Sequence, residues 1–407
     1  MSHELPPPSY DESAIPPYVL PELLRAGDGA PIVDAQGFSA RRRPELLELF
    51  RRHVYGRIDA ALELNVCRIR GPEPFAGTLG WQSELDVELS HRERGGSLTL
   101  RALLHVPRAA TGPSPTLLSL NLFGNHTLHA DPRVRLAQGW LPESVELGLS
   151  GHVASEASRG MHSGRWPIEM LLARGYALMT AYAGDIDPDF DDGFHNGLHA
   201  LLPPAGEPRP SDAPGTLAAW AFGLSRLLDA VEQLPELNAQ RVAVVGHSRL
   251  GKTALWAAAQ DERFALAISN ESGCGGATLS RRRYGERLLH INRRFPHWFC
   301  SAFHGYDERE QELPLDQHQL LALLAPRPLY VASAALDQWA DPRGEWLACQ
   351  AAAPAWHLFG HAARVDEPTT SGERGSDSRI GYHCRPGRHD ITPRDFWHYL
   401  AFLDRWL

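Results

Sequence analysis

The chain has 407 residues, of which 43% are hydrophobic and 22% charged, so it can bury one large core or two smaller ones. Its formal net charge of −9 argues against a nucleic-acid-binding protein, because phosphate contacts require a net basic face. It has no apolar run long enough to cross a bilayer, which argues against a membrane-spanning protein.

The first 35 residues are rich in proline, which predicts an extended amino-terminal arm packed on the surface. The segment MSHELPPPSYDESAIPPYVLPELL has neither the basic start nor the apolar stretch of a secretory signal peptide. The protein therefore either stays inside the cell or begins after a signal that has been removed. We expect residues 36–407 to form a single α/β domain, because no internal repeat interrupts them.

The first half of the chain mixes predicted helices and strands. Residues 40–57 repeat apolar positions at helical spacing and predict a first helix. The alternating segments ELDVELSHR and SLTLRALLHVP predict an antiparallel hairpin. The apolar run TLLSLNLFG predicts a strand that is buried on both faces. The segment PIEMLLARGYALMTAYAGD predicts a helix that stops at Gly175, followed by a buried strand that ends at Asp185.

The second half continues the alternation. TLAAWAFGLSRLLDAVEQL predicts an amphipathic helix, FALAISNESG and PLYVASAALDQWADP predict strands, and PRDFWHYLAFLDRWL predicts the last helix. Strands that alternate with helices indicate an α/β protein whose central sheet is mostly parallel and flanked by helices. The long segments 125–165, 186–215 and 273–318 are rich in Gly, Pro, His and Arg. We expect them to build a binding cleft above the carboxyl ends of the strands.

Residues 242–256, VAVVGHSRLGKTALW, place Ser248 at a sharp corner between a strand and a helix. A serine hydroxyl is a weak nucleophile unless a base takes its proton and dipoles stabilise the oxyanion. Such a corner holds the hydroxyl above the sheet and aims backbone N–H groups at the developing charge. The glycine expected two residues after the serine stands three after it, at Gly251. The alternative interpretation is a serine that caps the helix.

A nucleophilic serine on this type of sheet requires an acid after a later strand and then a histidine near the end of the chain. Asp337 ends the apolar strand PLYVASAALD, and His389 lies in CRPGRHDIT just before the last helix. Glu271 ends the earlier strand FALAISNE, and either carboxylate could orient the imidazole and stabilise its positive charge. The alternative for both acids is a structural salt bridge with the arginines of SRRR, residues 280–283.

The five cysteines are scattered and form no CxxC pair, which argues against a zinc site or a dithiol redox motif. We interpret all five as buried free thiols: Cys67, Cys274, Cys300, Cys349 and Cys384. We expect the protein to need no metal ion or organic cofactor.

Six motifs, in this order, resemble the glucuronoyl esterases of carbohydrate esterase family 15: GHSRLGK, SNESGCGG, SRRRYGE, INRRFPHWF, LDQWADP and GRHD. They span residues 246–390, and NLFGNHT and YAGDIDPD extend the similarity upstream. The resemblance implies an α/β-hydrolase fold, a three-layer sandwich, and a serine carboxylic ester hydrolase. Its substrates would be esters of glucuronic or 4-O-methylglucuronic acid, as in linkages between lignin and glucuronoxylan.

The resemblance also implies roles for four further residues. Arg249 would help to stabilise the oxyanion, and Lys252 would bind the sugar acid. Glu286 and Trp339 match the glutamate and tryptophan that contact the sugar in the family. The chain departs from fungal members, which have a cysteine directly before the serine bonded to one beside the histidine. Those places are His247 and Asp390 here, so that disulfide cannot form.

Two rival functions stay open at this point. The first is another serine esterase on the same fold, acting on acetyl or aryl esters. The second is a catalytically inactive hydrolase homologue that binds uronic acid polymers. The expected partner is a small or polymeric uronate ester, with neither nucleic acid nor membrane involved, and the chain is expected to be a monomer. The resemblance implies a secreted or periplasmic protein.

Overall fold

The structure is a computed structural model, and it describes residues 5–203, 208–366 and 377–407. The first four residues of the predicted arm, and residues 204–207 of the predicted insertion 186–215, lie outside the described residues. The strands are β1 (Glu63–Phe75), β2 (Gly80–Ser90), β3 (Ser97–Pro107), β4 (Ser114–Asn121), β5 (Ala177–Tyr182), β6 (Leu237–His247), β7 (Leu266–Asn270), β8 (Leu329–Ala334) and β9 (Ile380–Arg385).

The α-helices lie on both faces of the sheet and in the insertions. They are α1 (Ala35–Gly37), α2 (Arg43–Phe50), α3 (Ile168–Ala173), α4 (Thr216–Glu232), α5 (Arg249–Gln260), α6 (Leu288–Arg294), α7 (Ser301–His304), α8 (Gln317–Ala322), α9 (Pro342–Ala352), α10 (Pro354–Leu358) and α11 (Pro393–Trp406). Two π-helical stretches, Phe38–Arg42 and Arg51–Tyr55, flank α2, so the predicted first helix is one continuous helical segment with irregular turns.

The nine strands formed by the described residues join one mixed sheet in the order β1-β2-β3-β5-β4-β6-β7-β8-β9. The pairs β1–β2, β2–β3 and β3–β5 are antiparallel, and the other five pairs are parallel. The carboxyl ends of β6, β7, β8 and β9 therefore meet at one edge of the sheet, where side chains from four separate segments can converge.

The sheet separates two hydrophobic cores. Along β6, Val242 and Val244 belong to one core, and Ala243 and Val245 belong to the other. This alternation is what a strand covered on both faces requires, because successive side chains point to opposite faces. Helices α4 and α5 cover the first face, and α3 and α11 cover the second. The predicted three-layer α/β-hydrolase architecture is confirmed.

The predicted helices and strands named above all form, with boundaries that differ by a few residues. Strands β1 and β9 were not predicted from the sequence. Strand β1 lies at the antiparallel edge and exposes alternate side chains, so it has no strong apolar run. Strand β9 is only six residues long and lies at the opposite edge, next to β8. It carries the chain to His389.

The described part of the amino-terminal arm contains a 3-10 turn at Glu12–Ala14 and an isolated bridge between Arg25 and Pro31. Leu23, Ala26 and Ile32 are buried and belong to the first core. Among the described residues, no helix has the length and apolar character needed to span a membrane.

Candidate active site

Ser248 stands alone between the end of β6 and the start of α5, with φ 59° and ψ −126°. A non-glycine residue in this region is strained and persists only where its surroundings enforce it. Its backbone N–H donates to the Asn270 carbonyl at 2.9 Å, and its side chain forms no capping hydrogen bond. The helix-cap alternative is therefore wrong, and the hydroxyl is left for another role.

Two glycines make the corner possible. A Cβ at Gly246 would lie 1.9 Å from the Leu250 carbonyl oxygen, so no side chain fits there. A Cβ at Gly251 would lie 3.0 Å from the Ser272 Cβ and 3.1 Å from the Gly246 carbonyl oxygen, so space is scarce in the first turn of the helix as well. A larger side chain would be crowded at the third position after Ser248, which accounts for the glycine at position 251.

Residues 246–253, GHSRLGKT, also match the spacing of a phosphate-binding loop, GxxxxGK[ST]. Such a loop cradles phosphate with several free backbone N–H groups ahead of its helix. Here α5 already begins at Arg249, and the Lys252 N–H donates to the Ser248 carbonyl at 3.2 Å. The residues between Ser248 and Lys252 form the first helical turn, so no wide phosphate cradle exists.

Two carboxylates lie close to the same ring nitrogen of His389. Its Nδ1 lies 2.6 Å from Asp337 Oδ2 and 3.2 Å from Glu271 Oε2. Asp337 follows β8 and Glu271 follows β7, so neighbouring strands bring the two acids together. The shorter distance gives Asp337 the direct hydrogen bond, and Glu271 adds a second negative charge close to the same N–H.

Glu271 has φ 47°, a second strained residue at this edge of the sheet. Its Oε1 accepts from Arg385 Nη2 at 2.7 Å, and its Oε2 accepts from the Asp390 N–H at 3.0 Å. Arg385 also donates from Nε to Asp395 Oδ2 at 3.0 Å and from Nη2 to the carbonyls of Arg388 and Asp390. One buried guanidinium thus ties Glu271 to the loop that carries His389.

The predicted alternative, a salt bridge between these acids and residues 280–283, is wrong for this structure. These arginines pair instead with four other acids: Arg281 with Asp316, Arg282 with Asp341 and Glu12, and Arg283 with Glu310. Those pairs brace the insertion between β7 and β8, and they leave Asp337 and Glu271 to face His389.

Burial and neighbouring charges have opposing effects on the pKa values of His389 and Glu271. Burial lowers the pKa of His389, but the hydrogen bonds and charges of Asp337 and Glu271 outweigh it and raise the pKa to about 9. Burial raises the pKa of Glu271 to about 7, although His389 and Arg385 oppose that rise. The cluster therefore favours a protonated imidazole, which is the state that a base reaches after it accepts a proton.

The side chain of Arg249 is fixed by three neighbours. Its Nη1 forms an ion pair with Asp189, and its guanidinium carbon lies 4.6 Å from the ring centroid of Trp298 and 5.0 Å from that of Phe295. Asp189 Oδ1 in turn accepts from Trp298 Nε1 at 2.7 Å and lies 3.0 Å from His297 Nε2. Arg249 is thereby held rigid one residue after Ser248.

Lys252 and Glu286 are both buried and of opposite charge. Burial lowers the pKa of Lys252 while the charge of Glu286 raises it, and burial raises the pKa of Glu286 while the charge of Lys252 lowers it. Lys252 Nζ donates to the Ser272 carbonyl at 2.5 Å. The Glu286 N–H donates to the Trp339 carbonyl at 2.9 Å, which joins the loop before α6 to the loop after β8.

All eight residues that the sequence analysis singled out line one cavity of about 330 Å³: Ser248, Arg249, Lys252, Glu271, Glu286, Asp337, Trp339 and His389. Three further residues line the same cavity but were not predicted to have a role: Arg294, Phe295 and Trp298. Neither were Asp189 and Arg385, which hold Arg249 and Glu271 in place. Four of these five lie in the quoted motifs INRRFPHWF and YAGDIDPD, so the motifs contained the signal.

His247 and Asp390, which stand where the fungal glucuronoyl esterases have their disulfide, both form non-covalent contacts. The His247 ring centroid lies 4.6 Å from that of His389, and His247 Nδ1 lies 2.6 Å from Asn270 Oδ1. Asp390 pairs with Arg165, at 2.7 Å between Oδ1 and Nε. The histidine loop is therefore held on both sides without a covalent link.

All five cysteines are free. Cys274, Cys300 and Cys349 are buried, as predicted, whereas Cys384 is only half-buried. The prediction is wrong for Cys67, which is exposed because it lies on the outward side of the edge strand β1.

Glu271, Asp337 and His389 place one ligand-type atom each within 4.8 Å of one another, so they could in principle hold a metal ion. Both Glu271 oxygens, however, already accept hydrogen bonds, and the Arg385 guanidinium lies against one of them. A divalent cation there would meet this buried positive charge. The hydrogen bonds among the three side chains account for the cluster without a metal.

Comparison with known proteins gives consistent matches. A profile of the family described as "Glucuronyl esterase, fungi" matches residues 209–360. Carbohydrate esterase MZ0003, from an unknown prokaryotic organism, is 43% identical over 398 residues, covering 97% of this chain and 91% of that protein.

Solved structures extend the similarity to the fold. A promiscuous family 15 carbohydrate esterase from a marine bacterial metagenome matches with a TM-score of 0.89 at 42% identity, covering 98% of this chain and 100% of that one. A glucuronoyl esterase from Solibacter usitatus matches with a TM-score of 0.87 at 39% identity, covering 96% and 99% respectively. The chain therefore belongs to carbohydrate esterase family 15, the glucuronoyl esterases, and is a carboxylic ester hydrolase with the α/β-hydrolase fold.

Proposed function

We propose that this protein hydrolyses carboxylic esters of glucuronic or 4-O-methylglucuronic acid, with Ser248 as nucleophile. One observation carries the proposal: a strained corner serine, a histidine with two carboxylates, and the buried pair Lys252–Glu286 share a single cavity. The first two groups supply general ester hydrolysis, and the buried pair suits the hydroxyl groups of a sugar acid.

In the proposed mechanism, Ser248 Oγ attacks the uronoyl carbonyl carbon while His389 Nε2 takes the hydroxyl proton. The tetrahedral intermediate collapses, and His389 returns that proton to the departing alcohol, which leaves an acyl-enzyme. Water then attacks the acyl carbon with His389 again as base, and its proton goes back to Ser248. Asp337, assisted by Glu271, stabilises the imidazolium that forms in each half-reaction.

Arg249 supplies positive charge to the oxyanion in this proposal. It follows the nucleophile directly, and its ion pair with Asp189 and its contacts with Trp298 and Phe295 hold it in place. A donor that is already oriented costs no reorganisation when the charge develops, which makes it more effective than a flexible one.

The test of the function is a comparison of substrates. We expect kcat/KM for a glucuronate ester to exceed that for the matching galacturonate ester, which differs only at the C4 hydroxyl, by at least about tenfold. Acetylated xylan should be a poorer substrate still. Higher activity on acetyl or aryl esters would favour the first rival function, and binding of glucuronate without any turnover would favour the second.

Arg249→Ala and Lys252→Ala should affect different kinetic constants. If Arg249 stabilises the oxyanion, its loss should lower kcat by about 10²–10³-fold, with little change in KM. Lys252→Ala and Glu286→Ala should mainly raise KM, because they hold the sugar in the ground state and the transition state alike. Steady-state kinetics with a glucuronate ester measures both effects. Arg52→Ala is the control, since Arg52 is exposed and is not one of the residues that line the cavity. Identical profiles for all three site variants would refute the division of roles.

The pH profile should rise towards alkaline pH. His389 must be neutral to accept the serine proton, and its two carboxylates raise its pKa to about 9, so kcat/KM should increase with pH up to about 9. Asp337→Asn removes one negative charge and lowers the pKa of His389, so the rising limb should move to lower pH. A limb that stays in place in this variant would show that another group controls it.

The oligomeric state and the compartment stay predictions. We propose a monomer, which light scattering of the purified protein would check. Export is supported by the family to which the chain belongs, and detection of the native protein in culture supernatant or periplasm would test it.

A further inference from the structure

Residues 6–12 of the amino-terminal arm lie against the loop between Arg282 and His290, which carries Glu286. The Gly285 N–H donates to the Ser9 carbonyl at 2.9 Å, and His290 Nε2 lies 2.7 Å from the Pro6 carbonyl oxygen. The arm thus contacts the loop that contributes Glu286 to the cavity wall.

Two consecutive backbone N–H groups of this loop donate in different directions. Gly285 donates to the arm, and Glu286 donates to the Trp339 carbonyl at 2.9 Å. Gly285 has φ 61°, and a Cβ there would lie 2.5 Å from the Gln338 carbonyl oxygen. The backbone at Glu286 is therefore held between the arm on one side and the loop that carries Asp337 and Trp339 on the other.

His290 extends the same connection. The Arg287 N–H donates to His290 Nδ1 at 3.1 Å, so Nδ1 is an acceptor and the ring proton is on Nε2, which donates to Pro6. The His290 ring centroid lies 5.8 Å from that of Trp339. Through His290, the arm also supports the predicted sugar-contacting tryptophan.

Glu12 and Tyr10 anchor the arm through their side chains. Glu12 Oε1 accepts from Arg282 Nη2 at 2.7 Å, and Arg282 Nε donates to the buried Asp341 at 2.8 Å, so an ion-pair chain links the arm to the start of α9. The Tyr10 ring packs edge-on against Tyr284, with 6.0 Å between centroids. Burial and the charge of Asp337 raise the pKa of Tyr10, which is consistent with a hydroxyl near the cavity.

We propose that residues 6–12 are a positioning element of the uronate-binding site, holding Glu286 and Trp339 in place for the sugar. The inference rests on the proposed function and deepens it. A binding group that is free to move loses affinity to conformational entropy, so the anchors on the arm should set KM more than kcat.

The test removes both side-chain anchors in the full-length chain with Tyr10→Ala and Glu12→Gln together. Two arm substitutions that do not touch the site serve as controls: Val19→Ala, at an exposed residue, and Glu22→Gln, which breaks an ion pair within the arm to Arg25. Three quantities are measured: kcat and KM for a glucuronate methyl ester, the rate at which a fluorophosphonate labels Ser248, and Tm. The fluorophosphonate needs the nucleophile and its base but no sugar site.

We expect the double variant to raise KM about five- to twentyfold, with kcat and the labelling rate each within about twofold of wild type and Tm nearly unchanged. The controls should match the wild type in all three quantities. If the double variant does not fold, the two single variants carry the same test.

An unchanged KM in a folded variant would overturn the inference, and so would a parallel loss of labelling and turnover, which indicates general loosening of the fold. If the wild-type protein does not turn over the glucuronate ester but is labelled at Ser248, the proposed function fails instead. The two failures are therefore distinguishable.

Discussion

Ser248→Ala is expected to lower kcat/KM for a glucuronate ester by about four to six orders of magnitude while the protein stays folded. The covalent route needs the Oγ atom, and without it only binding and oxyanion stabilisation are left to act on a water molecule. The folded state should tolerate the change, because the Ser248 side chain forms no capping hydrogen bond and alanine can occupy the same backbone conformation at similar strain.

The measurement combines steady-state kinetics with thermal unfolding. Ser301→Ala is the control, since Ser301 is exposed and lies outside the cavity, and it should keep wild-type kinetics. Tm of Ser248→Ala should lie within about one degree of the wild-type value, which corresponds to about 1 kcal/mol in a chain of this size. Retention of a tenth of the wild-type rate would exclude Ser248 as the nucleophile.

The positions of the proposed reactive groups follow from local sequence patterns and the order of strands. Ser248, Asp337 and His389 each come directly after an apolar strand or just before the last helix, and parallel strands bring such ends to one edge. The chemistry of that edge could therefore be predicted without knowing the tertiary packing. The mostly parallel arrangement of the sheet could be predicted as well, because the alternation of helices and strands is strong.

The supporting contacts could not be predicted in the same way, because they depend on tertiary packing between distant segments. Arg385 lies on the short strand β9, whose pattern is too brief to recognise, and its role follows only from its bonds to Glu271 and Asp395. The contact between Ser9 and Gly285 is a backbone hydrogen bond, to which side-chain identity contributes almost nothing. A local sequence pattern therefore cannot predict this backbone hydrogen bond.

The arrangement of the acids lies between these two cases. That both Glu271 and Asp337 could serve His389 was an open alternative on sequence alone, since both end strands. Their convergence on one nitrogen, Nδ1, depends on the φ of 47° at Glu271 and on the turn that follows β8. Such backbone details are set by packing, and they decide which acid takes the direct hydrogen bond.

Removing the acids one at a time should leave measurable activity, and removing both should lower kcat/KM well below the product of the single effects. Asp337 holds the direct hydrogen bond at 2.6 Å, so Asp337→Ala is expected to cost about 10–100-fold, with Glu271 taking over the N–H from 3.2 Å. Glu271→Gln should cost less, because Asp337 stays in place. The double variant should lose about 10⁴-fold, the usual cost of leaving a catalytic imidazole unoriented and its charge unbalanced.

The cycle uses glutamine at position 271, because its amide oxygen can still accept the hydrogen bond from Arg385, which alanine cannot, while the ion pair of Arg385 with Asp395 is kept. It should be run at pH 8, since burial raises the pKa of Glu271 to about 7 and only the ionised carboxylate can replace Asp337. Activity of Asp337→Ala should accordingly increase with pH as Glu271 ionises, and this should occur below pH 7, because the charge of Asp337 that helps to raise the pKa of Glu271 is gone. Groups that substitute for each other give a non-additive cycle, whereas independent groups give an additive one. If either single variant is already as inactive as Ser248→Ala, that acid acts alone on His389, and the other serves to hold the loop between β9 and α11 in place.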